Sequence, residues 1–270
     1  MSLTPNSKVS RTAKVQCDGM GIAELLDKVC LDSPPVPVRI LFEPEGVSVW
    51  TLNVPKTMQC LISKWPIAGL KVKEPCVVIA DPKELSNVIR AKSRGLSVRI
   101  ETSASQPITI TTPSNGGAEV MPSDEDDCLM IPDRWVIPKN KFGKFVFPMF
   151  DNEPATSEAT ISKEQLTLAY REMQSANAPY VVISFDKECE ARSGHWTSKS
   201  TKSWVPILAD WIGEPFTVAF TECLKSVIGA FSKDTTTLRV AKHTKGQFVV
   251  IESVDGAKTT VVVTEALREI

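Results

Sequence analysis

Histidine is nearly missing from this chain: His195 and His243 are the only two in 270 residues. No G-x-S-x-G, H-E-x-x-H or P-loop pattern occurs either, so nothing pairs a nucleophile with its base and an enzyme is not expected. No apolar run reaches 18 residues, so no membrane partner is expected. The N-terminal MSLTPNSKVSRTAK lacks the apolar core of a secretory signal, which places the expected location inside the cell, cytoplasmic or nuclear. Seven cysteines form no C-x-x-C pair, which argues against a zinc site and a disulfide framework and for small buried thiols. No cofactor is expected. The net charge is −1, so binding to a polyanion requires charge segregated onto one surface.

What the chain has is a repeat. ELSNVIRAKSRG (84–95) returns as CLKSVIGAFSKD (223–234), with Leu85, Val88 and Ile89 matched by Leu224, Val227 and Ile228 at an offset of 224 − 85 = 139. The i, i+3, i+4 spacing alone fits any helix on a core. The surroundings repeat as well. LSVRIET, PITITTP and AEVMPS after the first helix read as three strands, as do TTLRVAK, QFVVIES and TTVVVTEA after the second. KG (245–246) and DG (255–256) supply turn signals in the second set. Val98-Arg99-Ile100 matches Leu238-Arg239-Val240. Upstream, helix 21–30 with strand segment 38–50 parallels helix 162–173, with a capping box at Ser162 and Gln165, and strand segment 180–192. These spacings predict an α+β chain of two tandem domains, 1–123 and 157–270, joined by a connector at 124–156.

The connector reads as linker rather than core, with Asp124-Glu125-Asp126-Asp127 followed by apolar and proline-broken segments. Its Leu129, Met130, Ile131, Trp135, Phe142, Phe145 and Phe147 suggest that part of it packs back on the domains. The four acids read as solvated rather than as a metal site. Asp18-Gly19-Met20-Gly21 reads as a turn into a helix rather than a phosphate loop. Basic charge is uneven. Lys83, Arg90, Lys92 and Arg94 against Glu84 give 4 − 1 = +3, while Lys225 and Lys233 against Glu222 give 2 − 1 = +1. The helix at 162–173 is balanced, and the first helix is net −1.

The duplicated pattern and the connector together resemble sliding clamps of the proliferating cell nuclear antigen family, from about Lys14 to Ala266. EVMPSDEDDCLMIPD is similar to the family's passage from the first domain into the connector, with Leu129-Met130-Ile131-Pro132 in place of its L-x-I-P. EGVSVWTLN and ELSNVIRA are similar at matching distances.

The resemblance implies two copies of a clamp domain, with helices on one face of antiparallel sheets, assembling as a homotrimeric ring around double-stranded DNA without sequence specificity. DNA polymerase, other clamp-binding-motif proteins and a clamp loader would be its partners. Arg90 and Asn87 fall at basic pore positions of the family, one kept and one lost. Arg171 matches a pore arginine, and Lys28 and Lys225 lie near basic positions. With Lys83, Lys92, Arg94 and Lys233 they form the expected DNA-facing set. The expected partner-peptide pocket comprises Leu52, Leu129, Met130, Ile131, Val261 and Val263. Here Val262-Val263-Thr264 replaces the family's aliphatic–Ala–Pro segment, and 135–154 has no counterpart. Ring contacts are expected between 117–123 and SWVPILAD (203–210) of the next chain. Two alternatives keep part of this reading: a subunit of a heteromeric or viral late-transcription clamp, and a two-domain scaffold that does not encircle DNA.

Overall fold

The computed structural model describes residues 10–31, 35–54, 57–103, 106–114, 116–128, 137–194, 203–246, 248–255 and 258–265. The chain forms two compact units. Unit 1 comprises Met1–Val54, Leu61–Met130 and Gly256–Thr259, and unit 2 comprises Pro55–Cys60, Ile131–Asp255 and Thr260–Ile270. The elements associated with unit 1 are β1 (Ala13–Asp18), α1 (Gly19–Lys28), β2 (Val38–Glu43), β3 (Gly46–Leu52), β4 (Met58–Trp65), β5 (Lys71–Val72), β6 (Cys76–Ala80), α2 (Pro82–Ser93), β7 (Ser97–Thr102), β8 (Ile108–Thr112) and β9 (Gly116–Val120). Those associated with unit 2 are β10 (Val146–Phe147), β11 (Glu153–Pro154), β12 (Ser157–Ser162), α3 (Lys163–Ser175), β13 (Tyr180–Phe185), β14 (Glu190–Gly194), β15 (Ser203–Pro206), β16 (Ala209–Gly213), β17 (Phe216–Phe220), α4 (Cys223–Ala230), β18 (Thr237–Lys242), β19 (Phe248–Asp255) and β20 (Lys258–Glu265).

Neighbouring strands run β5-β1-β7-β8-β9 and β4-β3-β2-β6 in the first unit, and β16-β12-β18-β19-β20 and β15-β14-β13-β17 in the second. Adding eleven to each label of the first set gives the second, so the duplication extends to every strand position. The fold is α+β, with antiparallel pairing in ladders of both units, among them β1–β7, β2–β6 and β8–β9 in the first and β12–β18 and β13–β17 in the second.

Alternation sets the faces. Along β7, Val98 and Ile100 are buried while Arg99 is exposed, and along β18 Leu238 and Val240 are buried while Arg239 is only partly so. The buried rows face the helices. Helix starts are locally encoded. Asp18 caps α1 by accepting from the Gly21 amide at 2.7 Å, and Asp81 caps α2 by accepting from Lys83 and Glu84 at 2.7 and 2.9 Å, with Pro82 in the first turn. The DGMG stretch is therefore a cap and a first turn. Gly19 is needed there because a Cβ would come within 2.3 Å of the Ser93 Cβ on α2. Ser162 caps α3 through the Gln165 amide, but the Gln165 side chain accepts from Leu208 N instead of closing the capping box. α4 stops at Ala230, earlier than its repeat partner. Buried Phe231 leaves the helix in extended conformation, and Lys163 donates to the Phe231 and Ser232 carbonyls at 2.9 and 2.7 Å.

Part of the supposed linker is core. Residues 137–155 form a strap over the face of unit 2's sheet that points away from the helices. Phe145 and Phe147 are fully buried, whereas Phe142 is 77% exposed at the tip of a turn in which the Asn140 side chain accepts from the Phe142 and Lys144 amides. Leu129, Met130, Ile131 and Trp135 lie outside the described residues. Arg239 grips both carboxylate oxygens of Glu158, donates to the Gly143 carbonyl at 2.8 Å and lies 5.3 Å from the Phe145 ring centre. Glu252, 3% exposed, is paired with Lys139. Buried His243 accepts from the Lys245 amide on Nδ1, so Nε2 carries the proton and donates to Glu153 at 2.9 Å. Its ring stacks on Phe150 at 4.7 Å. Replacing Phe147 by Ala is expected to cost about 3–5 kcal/mol, and Phe142→Ala less than about 0.5 kcal/mol, read from urea denaturation midpoints.

Candidate nucleic-acid interface and partner pocket

The expected DNA-facing residues sit on the outer faces of the helices to different degrees. Lys83, Asn87 and Arg94 are exposed on α2 and its C-cap, and Arg94 holds the left-handed conformation that ends the helix. Arg171 is exposed on α3, Lys225 on α4, and Lys233 beyond α4's end. Lys92 is partly buried.

Two of the set depart from the expected free cation. Arg90 forms an ion pair with Asp27 of α1, and the other oxygen of that carboxylate accepts from Ser86 at 2.7 Å. The close helix contact that requires Gly19 thus also draws Asp27 onto Arg90. Lys28 is turned inward: its side chain is 9% exposed, pairs with Glu24 at 3.8 Å and lies 5.7 Å from the Trp65 ring centre. The exposed row of α1 is Met20, Glu24 and Asp27, neutral and acidic. The exposed cations are concentrated on α2 and its C-cap, with a single exposed cation on each of α3 and α4.

The expected peptide pocket is less open than its residue types suggest. Leu52 at the end of β3 and Val263 in β20 are buried, and Val261 is partly exposed. Leu129, Met130 and Ile131, the expected connector wall, lie outside the described residues. Leu52 and Val263 are core side chains in stretches buried on both strand faces, with Thr51 and Asn53 buried beside the one and Val262 and Thr264 beside the other.

Two strand edges carry signals that helix periodicity does not give. β9 and β15 each end their run of strands within a unit. β15 and the loop after it expose Trp204 (64%), Pro206 and Leu208 (77%) on one side of an extended segment. Trp204 two residues before Pro206 in an alternating SWVPIL stretch was the available sequence clue.

Cys17, Cys30 and Cys128 are unsuited to reactivity. Burial pushes the Cys17 thiol up to about 12, and Cys30 and Cys128 up to about 11. Among the described residues no group of three or more His, Cys, Asp or Glu could hold a metal ion, and no helix is long and apolar enough to cross a membrane.

Two tandem units of identical strand order, each with a pair of helices covering one sheet face, define a clamp-type fold. The chain has the fold of the proliferating cell nuclear antigen. It is similar to that antigen from Entamoeba histolytica, with a TM-score of 0.67 and 7% identity over 95% of this chain and 99% of that one. It is also similar to A. fulgidus PCNA solved with the C-terminal region of FEN-1, with a TM-score of 0.67 and 12% identity over 96% and 99%. No family model matches the sequence, and no curated protein matches it.

Removing the Asp27 carboxylate takes away the ion-pair partner of Arg90 and leaves Ser86 only its longer 3.3 Å bond to the Ala23 carbonyl. Asp27→Ala is therefore expected to lower stability by about 1–3 kcal/mol, against less than about 0.5 kcal/mol for Lys225→Ala, by denaturant titration. The Lys245 ammonium bonded to Glu153 holds that carboxyl below the usual carboxylate range, with His243 assisting. A depressed folded-state value stabilises above the unfolded value and fails as pH falls through the folded one. The Tm difference between parent and Glu153→Gln should accordingly hold at neutral pH and vanish only in acid below the usual carboxylate range.

Proposed function

We propose that this chain is a DNA sliding clamp, a non-enzymatic processivity factor that encircles duplex DNA as a ring and tethers polymerase and other clamp-binding proteins. The observation that carries the reading is the clamp fold, which extends over 95% of the chain and is repeated strand for strand in its two units. Two features support it. The free edges β9 and β15 offer backbone pairing between copies, and the exposed Trp204 and Leu208 beside one edge are surface that association would bury. Exposed cations on α2, α3 and α4 offer contacts to phosphate, which carry no base preference. Topological closure supplies retention, so few phosphate contacts suffice. In this reading Lys83, Lys92, Arg94, Arg171, Lys225 and Lys233 contact DNA, while Arg90 is held back by Asp27. The connector's Leu129-Met130-Ile131 receives partner peptides.

A second reading keeps the fold and removes the DNA: a two-domain scaffold, or one subunit of a mixed clamp whose other chains supply most of the charge. The acidic row Met20, Glu24 and Asp27 and the tied Arg90 favour it. Light scattering decides part of the matter. A clamp made of this chain alone is expected at three times the monomer mass, and Trp204→Asp should return it to monomer. A parent monomer at micromolar concentration would favour the mixed clamp or the scaffold. DNA affinity decides the rest. Abolishing one phosphate interaction should lower the log–log salt slope by roughly 0.9, so Arg171→Ala with Lys225→Ala should flatten it. Asp27→Asn, which frees Arg90, should steepen it. A slope unchanged in both variants removes the helices from the DNA interface.

A further inference from the structure

Arg99 in unit 1 and Arg239 in unit 2 occupy the same place in the duplicated sheet. Arg99 on β7 stands opposite Gln16 on β1 and Thr111 on β8, and Arg239 on β18 stands opposite Thr160 on β12 and Glu252 on β19. Both point away from the helices. Their surroundings have diverged. Two residues before Thr160 comes Glu158, which takes Arg239 with both oxygens, whereas two residues before Gln16 comes Lys14. Where unit 2 has the buried carboxylate of Glu252, unit 1 has the hydroxyl of Thr111. Where the strap lays Phe145 on the Arg239 guanidinium, Arg99 is exposed, and it has no carboxylate within ion-pairing distance among the described residues.

The space beside it is a groove of about 310 Å³ lined by Gln16, Ser97, Arg99, Thr111, Thr112 and Pro113. Its one charged group is the guanidinium, beside hydroxyls that can donate or accept and a Gln16 side chain whose Nε2 donates to Ser97 at 3.2 Å. On β9, Gly117 stands opposite Thr111, where a Cβ would come within 3.3 Å of the Thr111 methyl. Two acids share this sheet face: Glu101, opposite Lys14 and two residues along β7 from Arg99, and Glu119 on β9, opposite Thr109.

We propose that this groove is a docking site for a segment of a partner protein that carries a carboxylate beside an aromatic residue. The carboxylate meets Arg99 and the flanking hydroxyls, and the ring lies on the guanidinium, so that the partner supplies in unit 1 what Glu158 and Phe145 supply within unit 2. Desolvating a guanidinium is favourable only with a paired anion, and the bidentate geometry selects a planar carboxylate. The site lies on the sheet face away from the helices, so its occupancy is independent of any DNA contact.

The test is fluorescence polarisation on the full-length chain. The probe is a labelled nine-residue peptide alternating Asp and Glu around a central Phe. Controls are the same peptide with Asn and Gln for the acids, and with Ala for Phe. Saturable binding of the acidic–aromatic peptide is expected, weakened at least about tenfold in each control peptide and in Arg99→Ala. Thr111→Val, which keeps the shape and removes one donor, should weaken it by a smaller factor. Arg192→Ala removes an exposed arginine elsewhere and should change nothing. Failure of the peptide to bind the parent, equal binding to Arg99→Ala, equal loss in Arg192→Ala, or equal affinity for the uncharged peptide would each overturn the proposal. Unchanged melting temperatures for Arg99→Ala and Thr111→Val separate loss of the site from loss of the fold.

Discussion

An antiparallel sheet with one apolar face must have that face covered, and here a pair of helices covers it in each unit. Most other features of the molecule depend on this constraint. It sends Val98, Ile100, Leu238 and Val240 toward the helices and Arg99 and Arg239 the other way. It brings α1 against α2 closely enough that only glycine fits at position 19. The same proximity joins Asp27 to Ser86 and Arg90, so the packing that builds the first unit also removes a cation from its surface. Helix packing and surface charge are here one problem.

The two units solve the opposite face differently. In unit 2 the strap covers it, and charge burial there is feasible because each buried ion has a partner: Glu252 has Lys139, and Arg239 has Glu158 and the Gly143 carbonyl; the buried His243 ring bonds Glu153. In unit 1 the carboxylates are replaced by Lys14 and Thr111, and the arginine faces solvent. Duplication kept the framework while the covering, and the charges that require covering, changed together. Divergence of this kind is compatible with a fold likeness at 7–12% identity, because the framework depends on the alternation of apolar positions and not on particular residues.

The repeat was legible in the sequence because it combines two periods: 3.6 in ELSNVIRA and CLKSVIGA, and 2 in the strands behind them. Those strands fall within a few residues of their expected places, as β7, β8, β9, β18, β19 and β20. The elements that carry little pattern were not legible. β5, β10 and β11 are two residues long each. The strap's aromatic residues gave no sign of which were buried, since Phe142 and Phe145 differ only by the turn that Asn140 sets between them. On the helices, exposure followed periodicity, so Lys83, Arg171 and Lys225 sit outside as charge and spacing imply. Partnering did not follow it. That Arg90 meets Asp27, and that Lys28 folds back toward Trp65, depends on residues far apart along the chain, which no local pattern encodes.

The clamp reading rests on enclosure, with which few phosphate contacts suffice. Enclosure is tested most directly by loading the chain on a nicked circular duplex at a salt concentration that abolishes simple electrostatic binding, and then cutting the circle once. The account predicts retention on the intact circle and release within the time a ring needs to slide off a free end. Equal retention before and after the cut, or no retention on the circle at all, would contradict it.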